Sequence, residues 1–386
     1  MYRIGDEELQ AVRRVIESKR IFRYGIGGEC TRFEERYADY VGAKHCVMTA
    51  SGTNALTAAL MALEIGPGDE VIVPACTYMA TPIAVLAVGA IPVIADIDDT
   101  VTLDPKALEA TIGPRTKAVI PVHMWGLPCN MDAIVSVARK AGIYVVEDAC
   151  QGVGGAYEGR MLGSIGDVGT YSFNYYKNMT AGEGGAVVTD NDEWHTRVMS
   201  AVDPCRFYWD GREGAERGFT ANGARASEFE GAILNEQLNR LPGMIESMRA
   251  QKRRILAQTA EAGLVPIPSN SADHECGTHV MYRFESSVAA DAFAEKVGGT
   301  VALKTGRHVY TEWDPILEHR GGHHPAMNPY TFAENAECRT EYSADMCSAS
   351  LDILARTVFV GTHPDSTADE VDAIIAKIRE GASVAV

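Results

Sequence analysis

His45-Cys46-Val47-Met48-Thr49-Ala50-Ser51-Gly52-Thr53-Asn54 is the stretch on which the fold turns. Its apolar run predicts a strand over 45–49, and the residues after it a helix over 52–64, closed by the turn Gly66-Pro67-Gly68-Asp69. The same unit then recurs. Strands over 70–75, 91–97, 118–123 and 143–147 alternate with helices over 79–88, 104–111 and 131–141, and two more strand-like runs follow at 169–174 and 186–189. Short, nearly all-apolar strands separated by helices imply a mainly parallel, seven-stranded sheet covered on both faces, which is the α/β class. Upstream, 6–19 and 31–41 read as a helical lead-in, with Leu9, Val12, Val15 and Ile16 at helical spacing in the first. Past residue 190 the pattern changes. A helix over 193–202 gives way to an aperiodic polar and aromatic stretch, 203–222. Helices over 227–238 and 242–262, a strand near 280–284 and a terminal helix over 368–380 then read as a smaller α+β lobe. The expected division is a large α/β domain over 1–240 and a C-terminal α+β domain over 241–386.

Composition narrows the class. Thirty-five Lys and Arg stand against 52 Asp and Glu, a net charge of −17, which disfavours long-range attraction to a nucleic-acid backbone. No uninterrupted apolar run approaches the ~18 residues of a membrane-spanning helix. Asp6, Glu7 and Glu8 fall where a signal peptide needs apolar residues. Nine scattered cysteines without a Cys-x-x-Cys pair fit reduced thiols better than a disulfide frame or a zinc site. These features point to a cytoplasmic protein.

Open parallel sheets bind ligands beyond the carboxyl ends of their strands, so the residues after each strand carry the chemistry. Ser51-Gly52-Thr53-Asn54 opens a helix and is either a plain N-cap or a phosphate cradle. Glu147-Asp148-Ala149-Cys150-Gln151 ends a strand with a carboxylate that is either a cap or the partner of a cationic ligand atom. Tyr171-Ser172-Phe173-Asn174-Tyr175-Tyr176-Lys177-Asn178 sets one lysine among aromatic residues before Gly182-Glu183-Gly184-Gly185. A lysine in such surroundings is either desolvated, which suits Schiff-base chemistry, or a solvated loop residue. His323-His324 is read as a polar loop, so no metal site is assigned. Gly25-Ile26-Gly27-Gly28 has Cys30 where a dinucleotide fingerprint needs its third glycine, and no P-loop is present.

Taken together and in this order, the phosphate-type turn, the strand-end aspartate and the loop lysine resemble a fold-type-I enzyme dependent on pyridoxal 5'-phosphate (PLP). More narrowly, the chain is similar to the DegT/StrS-like sugar aminotransferases. The resemblance starts near Tyr24-Gly25 and passes through Phe33-Glu34, Ser51-Gly52-Thr53, Val73-Pro74-Ala75-Cys76-Thr77-Tyr78 and Pro121-Val122-His123. It continues through Glu147-Asp148-Ala149, Ser172-Phe173, Lys177-Asn178 and Gly182-Glu183-Gly184-Gly185, and thins in the C-terminal lobe.

The resemblance implies roles for these positions. Lys177 would bind the cofactor covalently and carry the catalytic proton; Asp148 would pair with the pyridine nitrogen; Gln151 would bond the phenolic oxygen. Tyr78 would stack on the ring, and Gly52, Thr53 and Ser172 would hold the phosphate. His123 either lines the pocket or is a packed core histidine. The family spaces an Asn and an Arg by one residue, and that Asn reaches the neighbouring subunit's phosphate. Here Asn222-Gly223-Ala224-Arg225 has two residues between, so Asn222 either serves after a backbone shift or the contact is lost. The implied activity moves an amino group from glutamate or glutamine to a keto group on a sugar, nucleotide-sugar or cyclitol, in antibiotic or glycan biosynthesis. The implied assembly is a homodimer with shared sites. Alternatives are a sugar dehydratase, which in this family replaces the lysine by histidine, another PLP-dependent lyase or cyclase, or a non-catalytic regulator. The aromatic stretch 203–222, with Arg206, Arg212 and Arg217, is either an acceptor-binding segment or a surface loop. Tyr310-Thr311-Glu312-Trp313-Asp314 is a second segment that could cover the pocket.

Overall fold

The computed structural model describes residues 4–23, 27–209, 211–212 and 215–385. The Tyr24-Gly25 pair and Ile26 lie outside the described residues, as do Asp210, Glu213 and Gly214 of the aromatic stretch. Helices α1 (Asp6–Ser18) and α2 (Glu29–Val41) lead into β1 (His45–Thr49) and α3 (Gly52–Ala62). There follow β2 (Glu70–Pro74), α4 (Ala80–Ala87), β3 (Ile91–Ala95), α5 (Pro105–Thr111) and β4 (Thr116–Val119). Next come α6 (Met131–Ala141), β5 (Tyr144–Asp148) and a small hairpin of β6 (Ala156–Tyr157) and β7 (Arg160–Met161). β8 (Val168–Ser172), β9 (Gly185–Thr189) and α7 (Asp192–Val202) follow.

Seven strands form one sheet in the order β1-β9-β8-β5-β4-β2-β3. All neighbours run parallel except β9, which is antiparallel to both β1 and β8. Alternation along each strand explains the near-continuous apolar runs. Val47, Val71, Ala118 and Val146 face one helical layer with α3 and α4, whereas Met48, Ile72, Val119 and Val145 face the other, with α2, α6 and the long helix that follows.

After the four-residue helix α8 (Arg206–Trp209) comes α9 (Glu228–Thr259), whose residues as far as Met248 pack against the large sheet. Ser227 and Glu230 form a capping box that starts α9. The two helices expected over 227–238 and 242–262 are one helix of 32 residues with Pro242 inside it. The proline removes one backbone hydrogen bond, a local cost of ~3 kcal/mol. Leu238, Leu241, Ile245 and Met248 nevertheless continue a single buried stripe across it, and that packing outweighs the lost bond. Strands β10 (Val265–Pro266) and β11 (His279–Arg283), helix α10 (Ser287–Val297) and strand β12 (Thr300–Val301) come next. Short α11 (Asp314–Leu317), α12 (Ser348–Ala355), β13 (Thr357–Gly361) and α13 (Ala368–Ala385) end the chain. An antiparallel sheet of order β10-β11-β13-β12 packs against α10 and α13 around Val280, Tyr282, Phe293, Val358 and Ile378. A bridge between Cys76 and Val309, with Tyr310 N donating to Ala75 O at 3.0 Å, ties this half to the carboxyl end of β2. Among the described residues no helix is long and apolar enough to cross a membrane.

Candidate active site

The carboxyl ends of β1, β2, β5 and β8 open into a cavity of about 780 Å³. Gly52, Thr53, Tyr78, Asp148, Gln151, Ser172 and Lys177 all line it, although they come from four separate strand-end segments. Of the residues singled out in the sequence for a cofactor, Asn222 alone stands outside this wall: it is exposed in a single chain.

The phosphate-type turn is built on close approach. Ser51 caps α3, accepting from Asn54 N at 3.1 Å, and the segment around Gly184 bridges to Ser51. A Cβ on Gly52 would fall 2.7 Å from Ser172 Cβ and 2.9 Å from Cys150 Sγ, so only glycine fits between β5, β8 and α3. The first turn of α3 therefore meets the cavity beside the Ser172 hydroxyl, an arrangement suited to an anion.

Lys177 rides on a loop locked by backbone bonds. Phe173 N donates to Gly184 O at 2.9 Å, Tyr175 N to Gly182 O at 3.0 Å and Lys177 N to Asn174 O at 2.9 Å. Asn178 Nδ2 also donates to Val153 O at 2.9 Å. The lysine amine has no ion-pair partner among the described residues, and its charge adds to burial in holding the His308 imidazole below its ordinary pKa.

Asp148 is 4 % exposed, and each carboxylate oxygen takes one protein hydrogen bond. Thr81 Oγ1 donates to Oδ2 at 2.8 Å and Cys150 N to Oδ1 at 3.1 Å. Each oxygen keeps a lone pair for a ligand. Gln151 Oε1 accepts from Trp125 N at 3.2 Å, which leaves its NH2 group as the donor available to the cavity. The Cys150 thiol is pushed well up by burial and by Asp148, so it is a packing group rather than a nucleophile.

His123 does not line the cavity. It is fully buried, with Nδ1 accepting from Cys129 N at 3.1 Å and Nε2 placed 2.9 Å from Glu147 Oε2. The first bond fixes the proton on Nε2, which donates to the carboxylate. Glu147 also accepts from the amides of Gly163, Ile165 and Gly166 at 2.9, 2.5 and 2.5 Å. This pair holds the 163–166 loop.

The far wall was not legible in the sequence. His279 and Gly361, paired in register on β11 and β13, contribute to it together with Met244 and Met248 of α9, Arg307 and His308. Tyr310 and Trp313 are buried in the core instead of covering the pocket. No described residue of 203–222 lines the cavity within one chain.

The residues fit PLP: an anion cradle too tight for a Cβ, a free amine, a buried carboxylate with spare acceptor positions and an oriented amide donor share one wall. The family model for the DegT/DnrJ/EryC1/StrS aminotransferase family matches residues 2–379. The chain belongs to this family. As a DegT/DnrJ/EryC1/StrS member it is a PLP-dependent aminotransferase. It is 34% identical over 400 residues to the spore coat polysaccharide biosynthesis protein SpsC of Bacillus subtilis, covering 98% of this chain and 95% of that one. It is also 34% identical over 370 residues to the L-glutamine:2-deoxy-scyllo-inosose aminotransferase of Streptomyces fradiae, covering 92% and 87%. Among solved structures, the aminotransferase of Psychrobacter cryohalolentis superposes with a TM-score of 0.82 at 26% identity, over 97% of this chain and 96% of that one.

Proposed function

We propose that the cavity transfers the amino group of glutamate or glutamine to a keto group on a sugar, nucleotide-sugar or cyclitol, with Lys177 as the catalytic residue. One observation carries the assignment: an unpaired lysine amine, a buried carboxylate and a glycine-dependent anion cradle converge on one cavity from distant loops. PLP, when bound, supplies an electron-withdrawing ring that stabilises negative charge on the donor α-carbon.

The chain's own residues do the rest. Lys177 would hold the cofactor through Nζ, and the same amine, once freed by the donor, would carry the proton between the donor α-carbon and the cofactor. Asp148 keeps the pyridine nitrogen protonated by charge pairing, with Thr81 fixing the carboxylate. Gln151 would donate to the phenolic oxygen, Tyr78 would cover a face of the ring, and Gly52, Thr53 and Ser172 would bind the phosphate. The acceptor class rests on the relatives, one named for spore coat polysaccharide biosynthesis and the other for the amination of 2-deoxy-scyllo-inosose.

The reading includes a cytoplasmic homodimer in which Asn222 reaches the partner's phosphate. Exposed Leu9 and Ile16, seven residues apart on α1, together with Tyr175, Tyr176 and Tyr208, offer apolar surface for a second copy. The decisive test is an absorption spectrum of the purified protein before and after adding glutamate or glutamine. Expected is a visible band that is lost on donor addition and restored by a keto sugar, with borohydride fixing the cofactor covalently to the parent and not to Lys177→Ala. Covalent fixation that Lys177→Ala retains overturns the assignment.

A further inference from the structure

We infer that Arg307 is the residue that recognises the α-carboxylate of the amino donor. This deepens the reading above and rests on it. Arg307 lies on the C-terminal wall of the same cavity, beside His308 and across the chain from the lysine loop. Its guanidinium carbon sits 5.3 Å from the centroid of the Tyr78 ring, and it has no carboxylate partner among the described residues.

The mount beneath it is rigid. The Arg307 carbonyl accepts from Met79 N at 3.2 Å and from Trp313 Nε1 at 3.1 Å, and Trp313 is fully buried. Val309, two residues on, is bridged to Cys76 at the end of β2. A planar fork on a fixed backbone, at the edge of a cavity and without an internal anion, is arranged for an external one.

The charge inventory of the wall identifies that anion. Lys177 and Arg307 are its cations besides the histidines, and Asp148 and Glu183 are its acids. Asp148 is held by Thr81 and Cys150, and both Glu183 oxygens accept from Asn174 Nδ2 at 3.1 Å, so neither neutralises Arg307. With Lys177 committed to the cofactor, one guanidinium remains. A single guanidinium fork matches one carboxylate in two-point geometry, and the same fork also suits a phosphate oxygen pair, which the diphosphate arm of the test separates. The contact with Tyr78 is a weaker rest position that a carboxylate displaces.

The test uses the holoenzyme and Arg307→Gln, with Arg307→Lys as a second variant should the first not fold. Donor half-saturation is read from loss of the visible band, comparing L-glutamine with its α-carboxamide and L-glutamate with isoglutamine. Calorimetric titration with uridine diphosphate is the phosphate arm. Expected is a wild-type preference of ~50-fold or more for the free carboxylate, collapsing to a few-fold in Arg307→Gln and partly kept in Arg307→Lys, with nucleotide binding unchanged. Retained preference in Arg307→Gln overturns the inference. A selective loss of uridine diphosphate binding also overturns it and assigns the arginine to an acceptor phosphate. A wild type whose band no donor changes sinks the aminotransferase reading itself, so the two failures are distinguishable.

Discussion

Thr81 Oγ1 donates its only proton to Asp148 Oδ2 across 2.8 Å, and Thr77 Oγ1, 2.7 Å away, fills the acceptor position that remains. The two threonines thus form a one-way relay ending on the carboxylate at the cavity wall. Thr81 lies in the first turn of α4, so the helix itself sets the carboxylate's orientation. Replacing Thr81 by Val keeps the shape and removes the donor. Thr81→Val is expected to weaken PLP binding ~10-fold and to slow the donor reaction, with little change in fold. Spectral titration of cofactor into the stripped protein measures the first effect.

Gly52→Ala tests the cradle. Its Cβ would overlap Ser172 and Cys150, so the strand-to-helix junction must open. A destabilisation of about 1–3 kcal/mol is expected, together with lost cofactor affinity. Denaturant midpoints with and without PLP separate the two, because the gap between them shrinks only if the cradle itself is damaged.

The seven-stranded sheet was readable because its strands are short apolar runs punctuated by glycine- and proline-rich turns, and because both faces are buried. Strand ends shifted by at most four residues without moving the residues that follow them, which is why Asp148 and Lys177 fall at the cavity wall. Other features left no local trace. Pro242 reads as a break, yet the buried stripe on either side of it overrides that signal. β10 and β12 have two residues each and no period. Arg307 and His279 reach the cavity only through pairings with chain more than 80 residues away, β11 with β13 at Gly361 and Val309 with Cys76.

Acid should loosen the fold through His279. Its Nδ1 lies 3.0 Å from Thr278 Oγ1, which spends its own proton on Trp125 O, so the imidazole is neutral with Nδ1 protonated. Burial holds its pKa down to about 4, against 6.5 ordinarily. Above pH ~6.5 neither state binds the proton and this contribution to stability is complete. Between about 6.5 and 4 only the unfolded chain takes it up, so stability falls; below 4 the slope from this group ends. Urea midpoints measured across this window should fall less steeply in His279→Gln than in the parent. Equal slopes would show that other groups set the acid response.

Asn222 offers a test of shared sites. Asn222→Ala should lower cofactor affinity ~10-fold without affecting the monomer fold, since the side chain is exposed. Mixing Asn222→Ala with Lys177→Ala chains under limiting PLP should restore activity to about one quarter of the parent level, from the one intact site of each mixed dimer. No recovery, with exchange of chains verified, assigns Asn222 to the site of its own chain, and unchanged affinity in Asn222→Ala places it outside the site.

β5 ends in two neighbouring acids with unrelated duties: Glu147 gathers four N–H donors inside the fold, while Asp148 faces the cavity. Strand alternation sends them to opposite sides. A slip of β5 by one residue against β8 would exchange them, stranding the amides of Gly163, Ile165 and Gly166 and burying a carboxylate without its donors. Glu147 therefore couples the register of β5 to the closure of the 163–166 loop: a chain with the wrong residue at the cavity wall also loses the partners of these four donors.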